Sequence, residues 1–360
     1  MARRGLIGAA VGVAAAATGA VLVADRRIHA TRRVGIAAQR DFAEPPAERA
    51  GFLRADDGVQ LYWQETGSGD ADVTVVLVHG FCLNQDDFVF QRRALRSHYG
   101  DRVRVLSYDH RSHGRSGRAS SDSATVDQLG ADLFRVLEQR VPAGRVVLVG
   151  HSMGGMTIMA LADAHPELFG ASGRVAGVAL LSTSTGKLAG VTLGLPSALS
   201  RVSAPAVSLA LRGARREAGI VERGRARVTD VAWVFVRRLA FGPSVEPGLV
   251  EYVTRLIGAT PVDVIADFYP TLMSHDKLAA LHVLDATPVL VVCGDHDLLT
   301  PLEHSKAITD ALPKATYLEV PNAGHQALME RPDLVNPALF ALIDEALERS
   351  PVARRRRTRR

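Results

Sequence analysis

The chain has 360 residues, of which 47% are hydrophobic and 22% charged, and this composition excludes collagen-like and intrinsically disordered chains and predicts a folded core. The formal net charge is +5, but much of the arginine lies near the two ends of the chain. Because no RNA-binding or zinc-finger pattern accompanies these arginines, nucleic acid is not an expected partner. The two cysteines, Cys82 and Cys293, lack the spacing of a disulfide framework or a metal site, so we expect both to be small buried thiols.

The first predicted element is an uncharged stretch at residues 5–24, consisting mostly of alanine and glycine. About twenty helical residues at roughly 1.5 Å each would cross a hydrocarbon core of roughly 30 Å. We therefore interpret residues 1–40 as a membrane anchor with its linker. A cleaved signal peptide, and hence a secreted protein, is the alternative, because Arg3 and Arg4 form a basic segment before the stretch. If the stretch is an anchor, the larger number of arginines after it favours a cytoplasmic folded domain.

Short apolar strands then alternate with segments of helical length, a pattern that predicts an α/β fold. A hairpin is expected at residues 51–66, with its turn at residues 56–58. Further strands are predicted at residues 73–80, 102–109, 145–150, 175–182, 288–294 and 315–320. These strands are largely continuous apolar runs, which belong in a mostly parallel sheet with helices on both faces. Amphipathic helices are predicted at residues 124–140 and 336–347.

The alternation of strands and helices is interrupted at residues 184–275, which contain helical spacing and several prolines. We interpret this interval as a helical cap inserted into one domain, whose core comprises residues 41–183 and 276–348. The apolar cap residues are candidates either to line a pocket or to pack the cap onto the sheet. They are Trp233, Phe235, Leu239 and Phe241. The arginine-rich residues 349–360 predict a basic disordered tail, with attraction to anionic lipid as the alternative.

The motif GHSMGG at residues 150–155 follows one predicted strand directly and precedes a helical run. This strand–turn–helix context is typical of a nucleophile elbow, in which small neighbours let a serine hydroxyl stand clear of the strand end. Ser152 is therefore the candidate nucleophile, and a glycine-rich turn with a capping serine is the alternative. Because a serine hydroxyl is a weak nucleophile at neutral pH, it requires a general base. His325 is the candidate base, since it follows the last predicted strand, at the same edge of the sheet as the elbow.

These motifs, together with HGF at residues 79–81 and DHRSHGRS at residues 109–116, resemble the α/β-hydrolase family. The resemblance covers about residues 51–348 without the insertion. It implies the α/β-hydrolase fold, a mostly parallel central sheet flanked by helices, with a helical cap insertion. It also implies a base in the loop of His325. In the loop GDHDLLTP, at residues 294–301, the family's spacing between glycine, acid and proline selects Asp297 as the acid, with Asp295 as the alternative.

The same resemblance implies an oxyanion hole formed by the backbone N–H groups of Phe81 and Met153. His79 and Gly80 then shape the loop that carries the first of these donors. Gly150, His151 and Gly154 shape the elbow in the same way. His110 and His113 fall at positions that the family uses for loop structure, so a surface or hydrogen-bonded role is expected for them.

The chain order Ser152, Asp297, His325 is that of α/β-hydrolases. The resemblance therefore implies a serine hydrolase that cleaves a carboxylic ester through an acyl-enzyme, without a metal or another cofactor. The expected partner is a small-molecule ester, hydrophobic or lipid-like. The alternatives are an acyltransferase or a cofactor-free haloperoxidase-like enzyme on the same triad, and a non-catalytic binding protein on a hydrolase scaffold.

Overall fold

The computed structural model describes residue 42 and residues 47–191 and 232–349. The predictions for residues 5–24, for the middle of the insertion and for the tail beyond residue 349 lie outside these described residues. None of the helices within the described residues has both the length and the apolar character that crossing a membrane requires.

An eight-stranded sheet forms the centre of the described structure, in the strand order β1-β2-β4-β3-β5-β6-β7-β8. The strands are β1 (Arg49–Arg54), β2 (Gln60–Thr66), β3 (Val73–Val78), β4 (Val103–Tyr108), β5 (Arg145–His151), β6 (Val175–Leu181), β7 (Val289–Gly294) and β8 (Thr316–Val320). Strands β1 and β2 form the predicted hairpin, and β2 pairs antiparallel with β4. All the remaining pairs are parallel, so the predicted mostly parallel sheet is confirmed.

The interior strands are buried along their whole length, as their apolar sequences predict. In β3 every residue is buried, and successive side chains point to opposite faces of the sheet. Val75 and Leu77 pack into a cluster on one face, and Val76 and Val78 pack into a cluster on the other. Burial of each such aliphatic side chain stabilises the fold by about 1.5–3 kcal/mol. Two helical layers therefore enclose the sheet.

The helices surround the sheet and extend beyond one of its edges. They are α1 (Val89–Tyr99), α2 (Val126–Arg140), α3 (Met153–Ala164), α4 (Pro247–Ala259), α5 (Val262–Ser274), α6 (Leu302–Ala311), α7 (Ala327–Glu330) and α8 (Pro332–Glu348). Thr125 caps α2 by accepting a hydrogen bond from the N–H of Gln128 at 3.1 Å. The last helix begins four residues earlier than predicted, because Pro332 suits the first turn of a helix and Val335 already packs into the core.

The described parts of the insertion between β6 and β7 contain several helices joined by loops. Residues 232–240 are helical, and α4 and α5 follow them. The two ends of the insertion meet in an isolated antiparallel bridge between Gly186 and Asp276. The division into a single domain with a cap at residues 184–275 stays a prediction.

Candidate active site

Ser152 lies in the turn between β5 and α3, with a left-handed backbone at φ 52° and ψ −117°. Such a conformation costs a residue with a side chain roughly 1–3 kcal/mol, so surrounding contacts must hold it. The Ser152 N–H donates to the carbonyl of Leu181 at 2.9 Å, and its own carbonyl accepts a hydrogen bond from Thr183 Oγ1 at 2.7 Å. The end of β6 thus holds the elbow in its strained form.

The glycines of the motif provide space around the turn. A Cβ on Gly154 would overlap the carbonyl oxygen of Val78, and a Cβ on Gly150 would lie 2.5 Å from the backbone of Gly154. Helix α3 can therefore approach β3 and β5 only because these positions carry no side chain. This close packing is the physical reason for the G-x-S-x-G spacing.

His325 and Asp297 are joined by a hydrogen bond at the carboxyl edge of the sheet. The ring Nδ1 of His325 lies 2.9 Å from Asp297 Oδ2 and 3.1 Å from Oδ1. Asp297 also accepts hydrogen bonds from the N–H of Leu299 at 2.9 Å and from the N–H and hydroxyl of Thr300, both at 2.8 Å. Burial alone would raise the pKa of Asp297, but His325 and the Thr300 donors lower it overall. The carboxylate therefore stays ionised and holds the Nδ1–H tautomer of His325.

Asp295, the alternative acid, serves the loop instead. It lies 2.6 Å from Nδ1 of His296 and accepts a hydrogen bond from the N–H of Ala323 at 3.2 Å. It thus joins the acid loop to the loop of His325. The structure brings Asp297, and not Asp295, to the imidazole.

Ser152 and His325 line the same cavity, with Asp297 behind the imidazole. Since Nδ1 of His325 faces Asp297, Nε2 is the nitrogen left to accept a proton. Within the described residues neither Nε2 nor Ser152 Oγ makes a hydrogen bond. Catalytic hydrogen bonds commonly tighten only when substrate binds, so this arrangement is compatible with a base and its nucleophile.

The two predicted oxyanion donors lie beside the nucleophile. The loop of Gly80 passes so close that a Cβ there would be 3.3 Å from Ser152 Cβ, and Phe81 lines the cavity. Met153 is the first residue of α3, where backbone N–H groups have no partner inside the helix. Within the described residues the N–H groups of Phe81 and Met153 donate to no other group, so both are available to a developing oxyanion.

His151 is fully buried between the nucleophile, the oxyanion loop and the base loop. Its Nδ1 lies 2.6 Å from Asp87 Oδ2, and its Nε2 lies 3.1 Å from the carbonyl oxygen of His325. Burial opposes the charged form, but Asp87 and the His325 carbonyl raise the pKa of His151 above its ordinary value. Both ring nitrogens therefore carry protons, and the imidazolium joins the loop of Asp87 to the loop of His325.

His79, His110 and His113 form a buried cluster behind the oxyanion loop. The backbone N–H of His110 donates to His79 Nε2 at 2.9 Å, and the Nδ1–H of His79 donates to the carbonyl of Gly80 at 2.8 Å. Burial, with a smaller contribution from His113, lowers the pKa of His110 to about 3, and burial lowers the pKa of His113 to about 4. These two imidazoles are thus neutral near neutral pH, and the structural role of the cluster stays a prediction.

The cavity beside Ser152 has a volume of about 280 Å³ and mostly apolar walls. The helices α4 and α5 and the segment after β6 contribute part of the described wall through Leu188, Ile257, Leu272 and Met273, and the loops around Ser152 and His325 contribute much of the rest. The aromatic cap residues, for which the sequence left pocket lining and packing onto the sheet as alternatives, do not form this described wall. Trp233 and Phe241 pack into the core, and Phe235 is 61% exposed. Their positions depend on how the cap folds over the sheet, which apolar character does not reveal.

Sequence reasoning missed Asp87 and Gln326 as residues of the site. Asp87 is separated from His151 by 64 positions, and no local motif connects them. Gln326 is next to the candidate base and 2% exposed, a position that could have drawn notice. Cys82 and Cys293 are buried and form no disulfide, as expected. No group of three His, Cys, Asp or Glu side chains within the described residues is arranged to hold a metal ion.

Comparisons with known proteins give a consistent fold but several activities. The sequence profile of the alpha/beta hydrolase fold matches residues 73–332. A non-heme chloroperoxidase of Streptomyces lividans is 27% identical over 301 residues, covering 81% of this chain and 99% of that protein. A proline iminopeptidase of Neisseria meningitidis serogroup B is 26% identical over 319 residues, covering 82% and 95%. A thermophilic esterase from Thermogutta terrifontis has a TM-score of 0.61 at 24% identity, covering 83% and 99%. The names of these proteins differ in reaction, so the likeness alone selects no substrate.

Proposed function

The chain belongs to the α/β-hydrolase fold family, and on that premise we propose that it is a serine hydrolase that cleaves a carboxylic ester. The observation that carries the proposal is the 2.9 Å contact between His325 Nδ1 and Asp297 Oδ2, beside a serine held in a strained elbow. An ionised carboxylate, an oriented imidazole and an exposed hydroxyl are the three parts that nucleophilic acyl transfer requires. A binding protein on this scaffold would have no use for them.

In the proposed reaction, His325 Nε2 removes the hydroxyl proton as Ser152 Oγ attacks the ester carbonyl carbon. The backbone N–H groups of Phe81 and Met153 stabilise the negative charge on the carbonyl oxygen. His325 then gives the proton to the leaving alcohol, and an acyl-enzyme remains. Water attacks this acyl-enzyme with His325 again as base, which releases the acid and restores the serine. Loss of one oxyanion donor typically lowers kcat by about 100 to 1,000-fold.

The cavity supports a hydrophobic ester as substrate. Its described wall contains no lysine, arginine, aspartate or glutamate, and the charge of His151 is already paired with Asp87. A charged group would therefore lose its hydration there without gaining a free partner. A volume of about 280 Å³ suits a medium-sized acyl group rather than a long lipid chain lying wholly inside. We further propose that residues 5–24 hold the enzyme at a membrane, with secretion as the alternative, which would bring it close to such esters.

A second acceptor for the same acyl-enzyme is hydrogen peroxide. The observation that favours it is the relative named as a non-heme chloroperoxidase. Product analysis in the presence of peroxide or of an alcohol distinguishes acyl transfer to either of these acceptors from hydrolysis by water. Each acceptor gives a different acyl product.

The proposal is tested with p-nitrophenyl esters of increasing acyl length. Ser152→Ala should abolish turnover and labelling by a fluorophosphonate while the circular dichroism spectrum stays unchanged. Ser121→Ala, at an exposed serine, is the matched control and should retain full activity. Turnover by Ser152→Ala at the wild-type rate would refute the proposal. The same series on a chain lacking residues 1–40 shows whether the N-terminal segment contributes to activity on hydrophobic esters.

A further inference from the structure

Gln326 places a carboxamide without a partner in the catalytic cavity. The side chain is 2% exposed and lines the cavity together with Ser152 and His325. Its Oε1 is buried and makes no hydrogen bond, and its Nε2 has no hydrogen-bond partner among the described residues. The group is therefore buried without the partners that buried amides ordinarily have.

The backbone of Gln326 is fixed on both sides. Its N–H donates to the carbonyl of Ala240 at 2.9 Å, and its carbonyl accepts the N–H groups of Met329 at 2.8 Å and Glu330 at 2.9 Å. The preceding residue is His325, held by Asp297. The backbone from which the amide projects is therefore held in the base loop.

An unsatisfied buried polar group costs about 1–3 kcal/mol. A leucine or methionine of similar volume would fill the same space without this cost. Apart from His151, which is already paired with Asp87, the rest of the described wall offers no charged side chain and few polar groups. The free amide is therefore best matched by a neutral polar atom that arrives with the substrate.

We propose that Gln326 is a specificity-determining residue that hydrogen-bonds a second, neutral oxygen of the substrate, a hydroxyl or carbonyl within a few atoms of the scissile ester. This inference rests on the proposed esterase function and narrows its substrate class to oxygen-bearing esters instead of plain hydrocarbon ones. The amide can serve either group, since its NH₂ donates to a carbonyl and its oxygen accepts from a hydroxyl.

Tyr269 supplies a second polar group in the same wall. Its hydroxyl makes no hydrogen bond within the described residues, although the residue lines the cavity. Burial raises the pKa of Tyr269, so the phenol stays protonated and can donate. Tyr269 lies on α5 in the cap and Gln326 on the base loop, so an oxygen-bearing substrate could be held from both sides.

Two matched pairs of esters test this inference by kcat/KM. One pair compares p-nitrophenyl hexanoate with p-nitrophenyl 5-oxohexanoate, and the other compares butyl butyrate with 3-oxobutyl butyrate in a pH-stat. The wild-type enzyme should prefer the oxygen-bearing member of at least one pair by about 10 to 100-fold, the equivalent of one buried hydrogen bond. Gln326→Leu should lower kcat/KM for the oxygen-bearing ester by about 10 to 100-fold relative to kcat/KM for its hydrocarbon partner, so that the preference is lost.

The controls separate this inference from the proposed function. Gln139→Leu, at a surface glutamine that binds the carbonyl of Arg54, should keep the wild-type preference, and Tyr269→Phe should reduce it. Gln326→Met replaces the leucine variant if the latter is insoluble. Equal kcat/KM within both pairs, or a preference retained by Gln326→Leu, overturns the inference while ester hydrolysis stands. A wild-type enzyme that hydrolyses none of the four esters overturns both.

Discussion

Replacing His113 with glutamine measures how the buried histidine cluster limits stability in acid. Burial lowers the pKa of His113 to about 4, with Arg118 adding to the effect and the Nδ1–H bond to the Arg111 carbonyl opposing it. An unfolded histidine has a pKa of about 6.5. Between these two values the unfolded chain binds a proton that the folded chain does not. The folded state therefore loses stability as the pH falls through this window and pays no such penalty above it.

The size of the effect follows from the pKa difference. A pH of about 5 lies roughly 1.5 units below the pKa of an unfolded histidine. Each unit is worth about 1.4 kcal/mol, so His113 alone destabilises the fold by about 2 kcal/mol at this pH. His79 and His110 act in the same direction. Asp109, whose pKa burial raises to about 6, acts in the opposite direction. All three remain in the variant, so their contributions cancel in the difference between variant and wild type.

The measurement is urea unfolding of both proteins at about pH 7.5 and about pH 5. At each pH the free energy of unfolding of the wild type is subtracted from that of His113→Gln. This difference should be about 2 kcal/mol larger at about pH 5 than at about pH 7.5, whatever the difference is at about pH 7.5. His98→Gln, at an exposed histidine, is the control and should give no pH-dependent difference. Parallel curves for His113→Gln and the wild type would refute the reasoning.

Two further predictions each compare neighbouring acids. Asp297→Asn should lower kcat for a p-nitrophenyl ester by about 10³ to 10⁴-fold with little change in KM, because an amide does not hold the imidazole in the required tautomer. Asp295→Asn should keep at least about a third of the wild-type kcat. If steady-state kinetics show the same loss of kcat in Asp295→Asn and Asp297→Asn, the assignment of Asp297 as the acid is contradicted. Asp87→Asn should lower the free energy of unfolding by about 3 kcal/mol near neutral pH, because it leaves the buried His151 without its carboxylate. Asp86→Asn, whose side chain is 40% exposed, should change it by less than about 1 kcal/mol, and equal unfolding curves for the two variants would contradict the buried ion pair.

Local patterns in the sequence were sufficient for the fold and for the candidate nucleophile. Continuous apolar runs predicted the interior strands, and the turn at residues 56–58 predicted the β1–β2 hairpin that the structure contains. The motif around Ser152 could be interpreted because its glycines lie within a few residues of the serine whose backbone they accommodate. The roles of Ser152, His325 and Asp297 in catalysis stay predictions, now with a geometry that experiments can address.

Other features depend on residues that are distant in the chain. In the sequence, only the family resemblance favoured Asp297 over Asp295. The fold distinguishes the two acids, because it places Asp297 beside His325 and Asp295 beside Ala323. The aromatic residues of the cap were equally apolar in sequence, yet Phe241 is buried and Phe235 is exposed.

The sequence by itself determined the strands, the elbow and the set of candidate side chains, because apolar periodicity and glycine spacing act over a few residues. Only the tertiary structure decided that Asp87 neutralises His151. It alone also decided that Gln326 is buried in the catalytic cavity, where the described residues offer its amide no hydrogen-bond partner. The charge and hydrogen bonding of a side chain depend on every group within a few ångströms of it, and folding brings those groups together from distant parts of the chain.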